Sequence, residues 1–259
     1  MILIDTHTHL YLPEFDEDRA LVVQRAKEQG VQQCILPNID SESMPQVQKM
    51  LAEFPDFCHA AMGLHPTSVK ENFEEELAVI YQELKKGKYL AVGEMGIDLY
   101  WDKSFYEQQK EAFRVQATWA VEFNLPLIIH SRDSFNEIFS LMDDLWTPQL
   151  RGVFHCFTGT HEQATKIVND YGFKLGIGGV LTFKNSTLRE EIQDIDTKHL
   201  VLETDAPFLA PAPKRGKRNE SAYVSLLAQR LAEVKKCSLE EIARISTQNA
   251  VDLFNITIK

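Results

Sequence analysis

An α/β fold with eight strands closed into a (β/α)8 TIM barrel is what this chain predicts, on three observations. Short apolar runs alternate with longer amphipathic stretches along the whole sequence. The runs number eight, and 259 residues is the size such a barrel needs. No Gly-rich phosphate turn follows the first run, which disfavours the competing open, doubly wound sheet. No linker, repeat or low-complexity tract interrupts the series, so residues 1–259 read as a single domain.

The expected strands are residues 2–5, 33–36, 57–62, 89–93, 126–129, 152–154, 173–177 and 199–203. Most are rich in Val, Ile, Leu or Phe, as strands covered on both faces should be. Helix signals fill the intervals. Ser104 with Glu107 reads as a capping box ahead of a helix that places Phe113, Ala117 and Ala120 on one side. Thr160 with Gln163, Thr187 with Glu190, and Ser238 with Glu241 repeat the pattern. Gly30 and Gly87 stand where helices should stop.

Composition narrows the partners. With 44% hydrophobic and 25% charged residues the chain can bury a substantial core. A formal charge of -11 weighs against a broad basic face that coats duplex nucleic acid, while leaving room for a local basic pocket that grips one strand end. Cys34, Cys58, Cys156 and Cys237 show no C-x-x-C spacing and predict reduced thiols rather than a disulfide framework. Only Ile2, Leu3 and Ile4 precede Asp5 and His7, so no signal peptide is expected, and no run reaches the length of a membrane span. The expected compartment is a reducing cytoplasm, and no protein partner is inferred.

The chemistry begins at the strand ends. His7 and His9 are two apart after the first strand, so the two-residue side-chain period points both the same way. Alone, such a pair is as easily a polar strand–loop junction. Glu94, however, follows the fourth expected strand, His130 ends the fifth, His155 ends the sixth and Asp205 follows the eighth. These are the C-terminal strand ends, where barrel active sites are built. Nitrogen and oxygen ligands converging there predict bound metal. Six ligands exceed what one catalytic ion with an open position uses, so two divalent cations (Mg, Mn or Zn) about 3.5–4 Å apart are expected. Glu94 is the natural bridge between them, and Asp205 reads as both ligand and proton acceptor for the attacking water.

The runs IDTHTHL at 4–10, GLHP at 63–66, GEMGIDLY at 93–100, IIHSRDS at 128–134, HCFTG at 155–159, ETDAPFLAP at 203–211 and RGKRNE at 215–220 resemble the TatD family of metal-dependent deoxyribonucleases. The resemblance spans nearly the whole chain in the same order. It implies an amidohydrolase-like barrel with metal ligands His7, His9, Glu94, His130, His155 and Asp205. It also implies cleavage of DNA at single-stranded or frayed ends, with nucleotides removed from the 3′ side. Met95, Ala206, Phe208 and Ser221 depart from the family's usual residues, and none of them removes a ligand. The same barrel and ligand types hydrolyse small amides, lactones or phosphoesters elsewhere, and that is the alternative reading. A metal-stabilised binding protein with little turnover is a more distant one.

Further residues carry weighed expectations. Glu203, two before Asp205, orients the attacking water or a ligand histidine, or else satisfies a loop. His65 in GLHP and Arg132 beyond His130 are expected substrate contacts, with structural roles as alternatives. Asp98 is a partner for a ligand histidine or an ordinary turn residue. Lys214, Arg215, Lys217 and Arg218 form an expected clamp on a strand end, and Lys184 could join it. Tyr100, Trp101 and Phe105 either stack on a base or pack as core. His59, His161 and His199 lie away from the expected metal positions.

Overall fold

Parallel pairing runs in chain order around the molecule, a computed structural model that describes residues 1–258. Strands β1 (Leu3–Asp5), β2 (Val31–Pro37) and β3 (Cys58–Ala61) form one run. The other comprises β4 (Val92–Asp98), β5 (Leu127–Arg132), β6 (Gly152–Phe154), β7 (Lys174–Ile177) and β8 (Leu200–Leu202). Parallel bridges from Met62 to Val92 and from Thr8 to Ala206 join the two runs. The seams carry backbone bonds, Gly93 N–H to the Met62 carbonyl at 3.0 Å and Asp205 N–H to the His7 carbonyl at 2.9 Å. The result is a closed eight-stranded barrel, the predicted fold class, in which His7 and Asp205 become neighbours.

The helices are α1 (Arg19–Glu28), α2 (Met44–Glu53), α3 (Phe73–Leu84), α4 (Tyr106–Glu122), α5 (Phe135–Leu145), α6 (His161–Asn169), α7 (Leu188–Ile192), α8 (Val224–Lys235) and α9 (Leu239–Phe254). Ile4, Ile35, Ala61, Ala91, Ile128, Val153 and Val201 form an inner cluster with Ala250, Leu253 and Phe254 of α9. Thr247 donates to the Ile2 carbonyl at 2.9 Å, and Asn249 to the Thr197 and Leu200 carbonyls at 2.8 and 2.7 Å. These carbonyls lie where strands begin. Helix α9 therefore seals the N-terminal end of the barrel and leaves the C-terminal end to carry the chemistry.

Several boundaries differ from expectation. β4 spans 92–98 rather than 89–93, so Glu94 lies inside the strand instead of after it. Gly93 and Gly96 both lie against β5: a Cβ on Gly96 would stand 2.0 Å from the His130 carbonyl oxygen. The Ser104–Glu107 capping box does not form. Helix α4 begins at Tyr106 after an uncapped Phe105, and Ser104 N–H instead donates to Asp102 at 2.9 Å. Thr187 precedes α7 with a helical backbone, not the extended one from which a side chain caps, and gives no side-chain cap. Thr160 and Gln163 make the full reciprocal box, and Ser238 caps α9 through Glu241 N–H. Gly30 and Gly87 follow α1 and α3 with φ of +86° and +68°. His199, expected to open the last strand, lies in a 3-10 turn before β8. The cysteines are free; Cys34 and Cys58, paired in register, bring their sulfurs to 3.7 Å. No helix among the described residues is long and apolar enough to cross a membrane.

Candidate metal centre

Glu94 is the hub of the mouth. Its Oε2 lies 3.1 Å from His7 Nε2 and 3.7 Å from His9 Nε2. Its Oε1 lies 3.3 Å from His65 Nε2, 3.0 Å from His130 Nδ1 and 3.6 Å from His155 Nε2. One carboxylate thus divides its two oxygens between two groups of imidazoles. Asp205 Oδ1 completes the first group, 3.8 Å from His7 Nε2 and 3.4 Å from His9 Nε2.

The spacing suits a cation. Four ligands at about 2.0–2.1 Å around one ion stand about 3.4 Å apart. The measured separations among His7, His9, Glu94 and Asp205 run from 3.1 to 3.8 Å, with the two Nε2 atoms at 3.2 Å. Two ring nitrogens so close, both aimed at carboxylates, make an arrangement that a shared positive ion satisfies. Imidazole nitrogen with carboxylate oxygen is a donor set suited to first-row divalent metals. The residues present fit the group.

Burial alone would raise the Glu94 pKa, but His65, His7, His155 and the bond from His130 hold it well below the usual carboxylate range. Asp205 is likewise buried and yet held low, by His9, His155 and His7. His155 resists burial because Glu203 and Glu94 favour its proton, and its pKa rises to about 10. His7 and His65 are pulled down, chiefly by burial.

Supporting residues sit behind the imidazoles. Asp98 Oδ2 lies 3.0 Å from His130 Nε2 while its Oδ1 accepts the N–H groups of Tyr100 and Trp101, so Asp98 both holds a site histidine and shapes the turn after β4. Glu203 is fully buried behind His155, 2.9 Å from its Nδ1, an oblique approach that leaves that nitrogen without a well-aligned hydrogen bond. Its Oε1 also accepts Cys156 N–H at 2.5 Å, so it braces a histidine and a loop. Room for it exists because residue 176 is glycine; a Cβ there would stand 2.2 Å from Glu203 Oε2. Asp5 accepts Thr204 N–H at 2.9 Å and Thr204 Oγ1–H at 2.6 Å, clamping the end of β1 to the segment that carries Asp205. Burial raises its pKa to about 7. Asp133, Cys156 and Asp205, after β5, β6 and β8, all take left-handed backbone with φ of 47–56°.

The expected substrate contacts scatter. His65 joins the imidazoles around Glu94 instead of standing apart from them. Arg132 lies exposed at the rim beside His130. The basic loop divides. Arg218 donates to the Glu14 carbonyl at 2.6 Å and to Asp18 at 2.8 Å, so its guanidinium is engaged in tying the loop to the start of α1. Arg215 stacks 3.8 Å over Phe183, and Lys214 lies over Tyr223 in a cleft with Arg25 and Glu220. Lys217 and Lys184 are exposed. A continuous clamp of four cations does not form. The signals for His65, Asp5 and Gly176 were weak: a histidine at a strand end, an acid among apolar residues and a strand glycine.

A closed barrel whose C-terminal strand ends gather imidazoles around a shared carboxylate defines a metal-dependent hydrolase of the amidohydrolase-like type. The TatD related DNase family model matches residues 4–255, and the chain belongs to that family. It is 41% identical to an uncharacterized metal-dependent hydrolase, YabD of Bacillus subtilis, covering 98% of this chain and 100% of the relative. It is 32% identical to the 3′-5′ ssDNA/RNA exonuclease TatD of Pantoea ananatis, over 98% and 100% of the two chains. The crystal structure of YjjV, a TatD homolog from Escherichia coli K12, superposes with a TM-score of 0.92 at 31% identity, covering 98% of each chain.

Proposed function

We propose that this hydrolase is a two-metal phosphodiesterase that trims single-stranded or frayed DNA ends, removing nucleotides from the 3′ side. The observation that carries the reading is the division of Glu94, with one oxygen toward His7, His9 and Asp205 and the other toward His65, His130 and His155. Two divalent cations of the Mg, Mn or Zn class would share Glu94 as a ligand: His7, His9 and Asp205 would hold one, and His130 and His155, with His65 beside them, would hold the other. When bound, such a pair lowers the pKa of a water and neutralises charge on phosphate oxygens. Asp205, whose side chain keeps 14% of its surface exposed at the mouth, takes the proton of the attacking water. Glu203 and Asp98 act as positioning residues, through His155 and His130 respectively.

The neighbouring cleft, about 500 Å³ in volume, is lined mainly by polar residues, among them Arg132, Asn136 and Gln163 with the carboxylates Asp133, Glu137 and Glu191, so it offers no apolar wall for a small amide or lactone. The relative named as a 3′-5′ ssDNA/RNA exonuclease supports the substrate class and polarity. Incubation of a 5′-labelled single-stranded oligonucleotide with Mg²⁺ or Mn²⁺ should give a ladder of stepwise-shortened strands, and a 3′-blocked strand should resist. An intact strand alongside turnover of a small ester or amide would overturn the proposal.

A further inference from the structure

Two large aromatic side chains stand out of the surface at the edge of the mouth. Tyr100 is 53% and Trp101 68% exposed, with ring centroids 4.9 Å apart and nearly perpendicular. Phe105, four residues on, is instead half-buried against the core, with the Lys70 ammonium 5.0 Å from its ring centroid. Exposed aromatic surface this large is uncommon without a partner to cover it. The Arg132 guanidinium lies 3.9 Å over the Tyr100 ring and 5.4 Å from that of Trp101. Among the described residues, no carboxylate pairs with it, so its outward N–H groups are available to an anion.

The group is fixed relative to the candidate metal centre. Asp98 Oδ1 accepts the backbone N–H of Tyr100 at 2.9 Å and of Trp101 at 3.1 Å. Its other oxygen lies 3.0 Å from His130 Nε2. Arg132 is two residues beyond His130 on β5 and pairs in register with Asp98 on β4. A single carboxylate therefore sets the distance between the aromatic pair and a histidine of the site.

We infer that Tyr100, Trp101 and Arg132 form a subsite for one nucleotide of a single strand, Trp101 stacking on its base, Tyr100 standing edge-on beside Trp101 and carrying Arg132, and Arg132 contacting its phosphate. This rests on the nuclease reading above. Every base has a π-face, so stacking is tolerant of sequence, and a guanidinium held flat on a ring keeps its N–H edge for phosphate oxygens. In a chain of net charge -11, one unpaired arginine beside two aromatics gives local affinity without a basic face.

The test uses intact protein, Trp101→Ala and Trp101→Phe, on a single-stranded oligonucleotide and on versions with an abasic residue placed at each of the 3′-terminal positions in turn. On the full strand Trp101→Ala should raise KM roughly tenfold or more while kcat stays within about twofold. Trp101→Phe should restore most of that loss. At one abasic position the wild type and Trp101→Ala should converge, because no base remains to stack. Unchanged KM for Trp101→Ala, or an equal defect on every abasic strand, overturns the subsite while the nuclease reading stands. Failure of the wild type to shorten any strand overturns both.

Discussion

In the proposed mechanism Glu94 and Asp205 carry different duties although both are carboxylates at one mouth. Glu94 is almost completely buried among imidazoles, whereas Asp205 keeps partial access to solvent. Substituting Asp205→Asn should therefore lower kcat by about 10²–10⁴-fold, the usual worth of a placed general base, without unfolding the chain. A thermal melt of this variant that collapsed toward the unfolded state would favour a scaffold held together by metal instead. Glu203 acts at one remove. Glu203→Gln keeps an acceptor for Cys156 N–H but weakens the hold on His155, and should cost about 10–100-fold in metal affinity. Titration with Mn²⁺, alongside a circular dichroism spectrum to verify folding, checks it. At this scale much was legible in the sequence. The positions of His7, His9 and His155 just past their strands follow from side-chain period and strand termini, whereas His130, expected to end the fifth strand, lies inside β5, which runs on to Arg132. The place of His65 was not, because its meeting with Glu94 depends on how closely β3 and β4 approach at Gly63 and Gly93.

The elements show where local rules held and where packing overrode them. Thr160 and Gln163 satisfy each other's backbone donors as the spacing predicts, so Thr160→Ala should cost about 1 kcal/mol in denaturant melts. Ser104 loses the comparable role because Asp102 captures its N–H first. β4 was misplaced for a different reason: glycines that weaken an isolated strand are required here by the closeness of β5. Away from the mouth, Glu83 on α3 joins three neighbours, accepting from Gln48 at 2.9 Å, from Tyr89 at 2.7 Å, and from Lys86. Burial alone would raise its pKa, but these bonds hold it below the ordinary 4.5. The folded value lies below the unfolded one, so the stabilisation is complete above pH 4.5 and fades as pH falls through the folded value. Glu83→Gln should thus cost about 1–2 kcal/mol at neutral pH. The gap between its urea midpoint and that of the wild type should narrow in acid; a gap independent of pH would contradict the ion-pair account.

Over the whole molecule, the barrel separates stability from chemistry. The inner cluster and α9 close the N-terminal end, while the polar residues gather at the C-terminal end. Phe254, buried against that inner cluster, should cost about 3–5 kcal/mol when cut to Ala. The same change should leave the hydrolytic rate of the folded protein near that of the wild type. Eight strands and their order were readable because parallel strands buried on both faces leave apolar runs. The sealing role of α9 was not, since nothing in an amphipathic stretch says which end of a barrel it will cover. The account as a whole stands on two cations sharing Glu94, and counting them tests it most directly. Protein equilibrated with Mn²⁺ or Zn²⁺ and freed of excess should carry two metal ions per chain by elemental analysis. Folded Glu94→Gln should carry at most one. A single ion per chain in the wild type, or two retained in Glu94→Gln, would contradict the shared-carboxylate site.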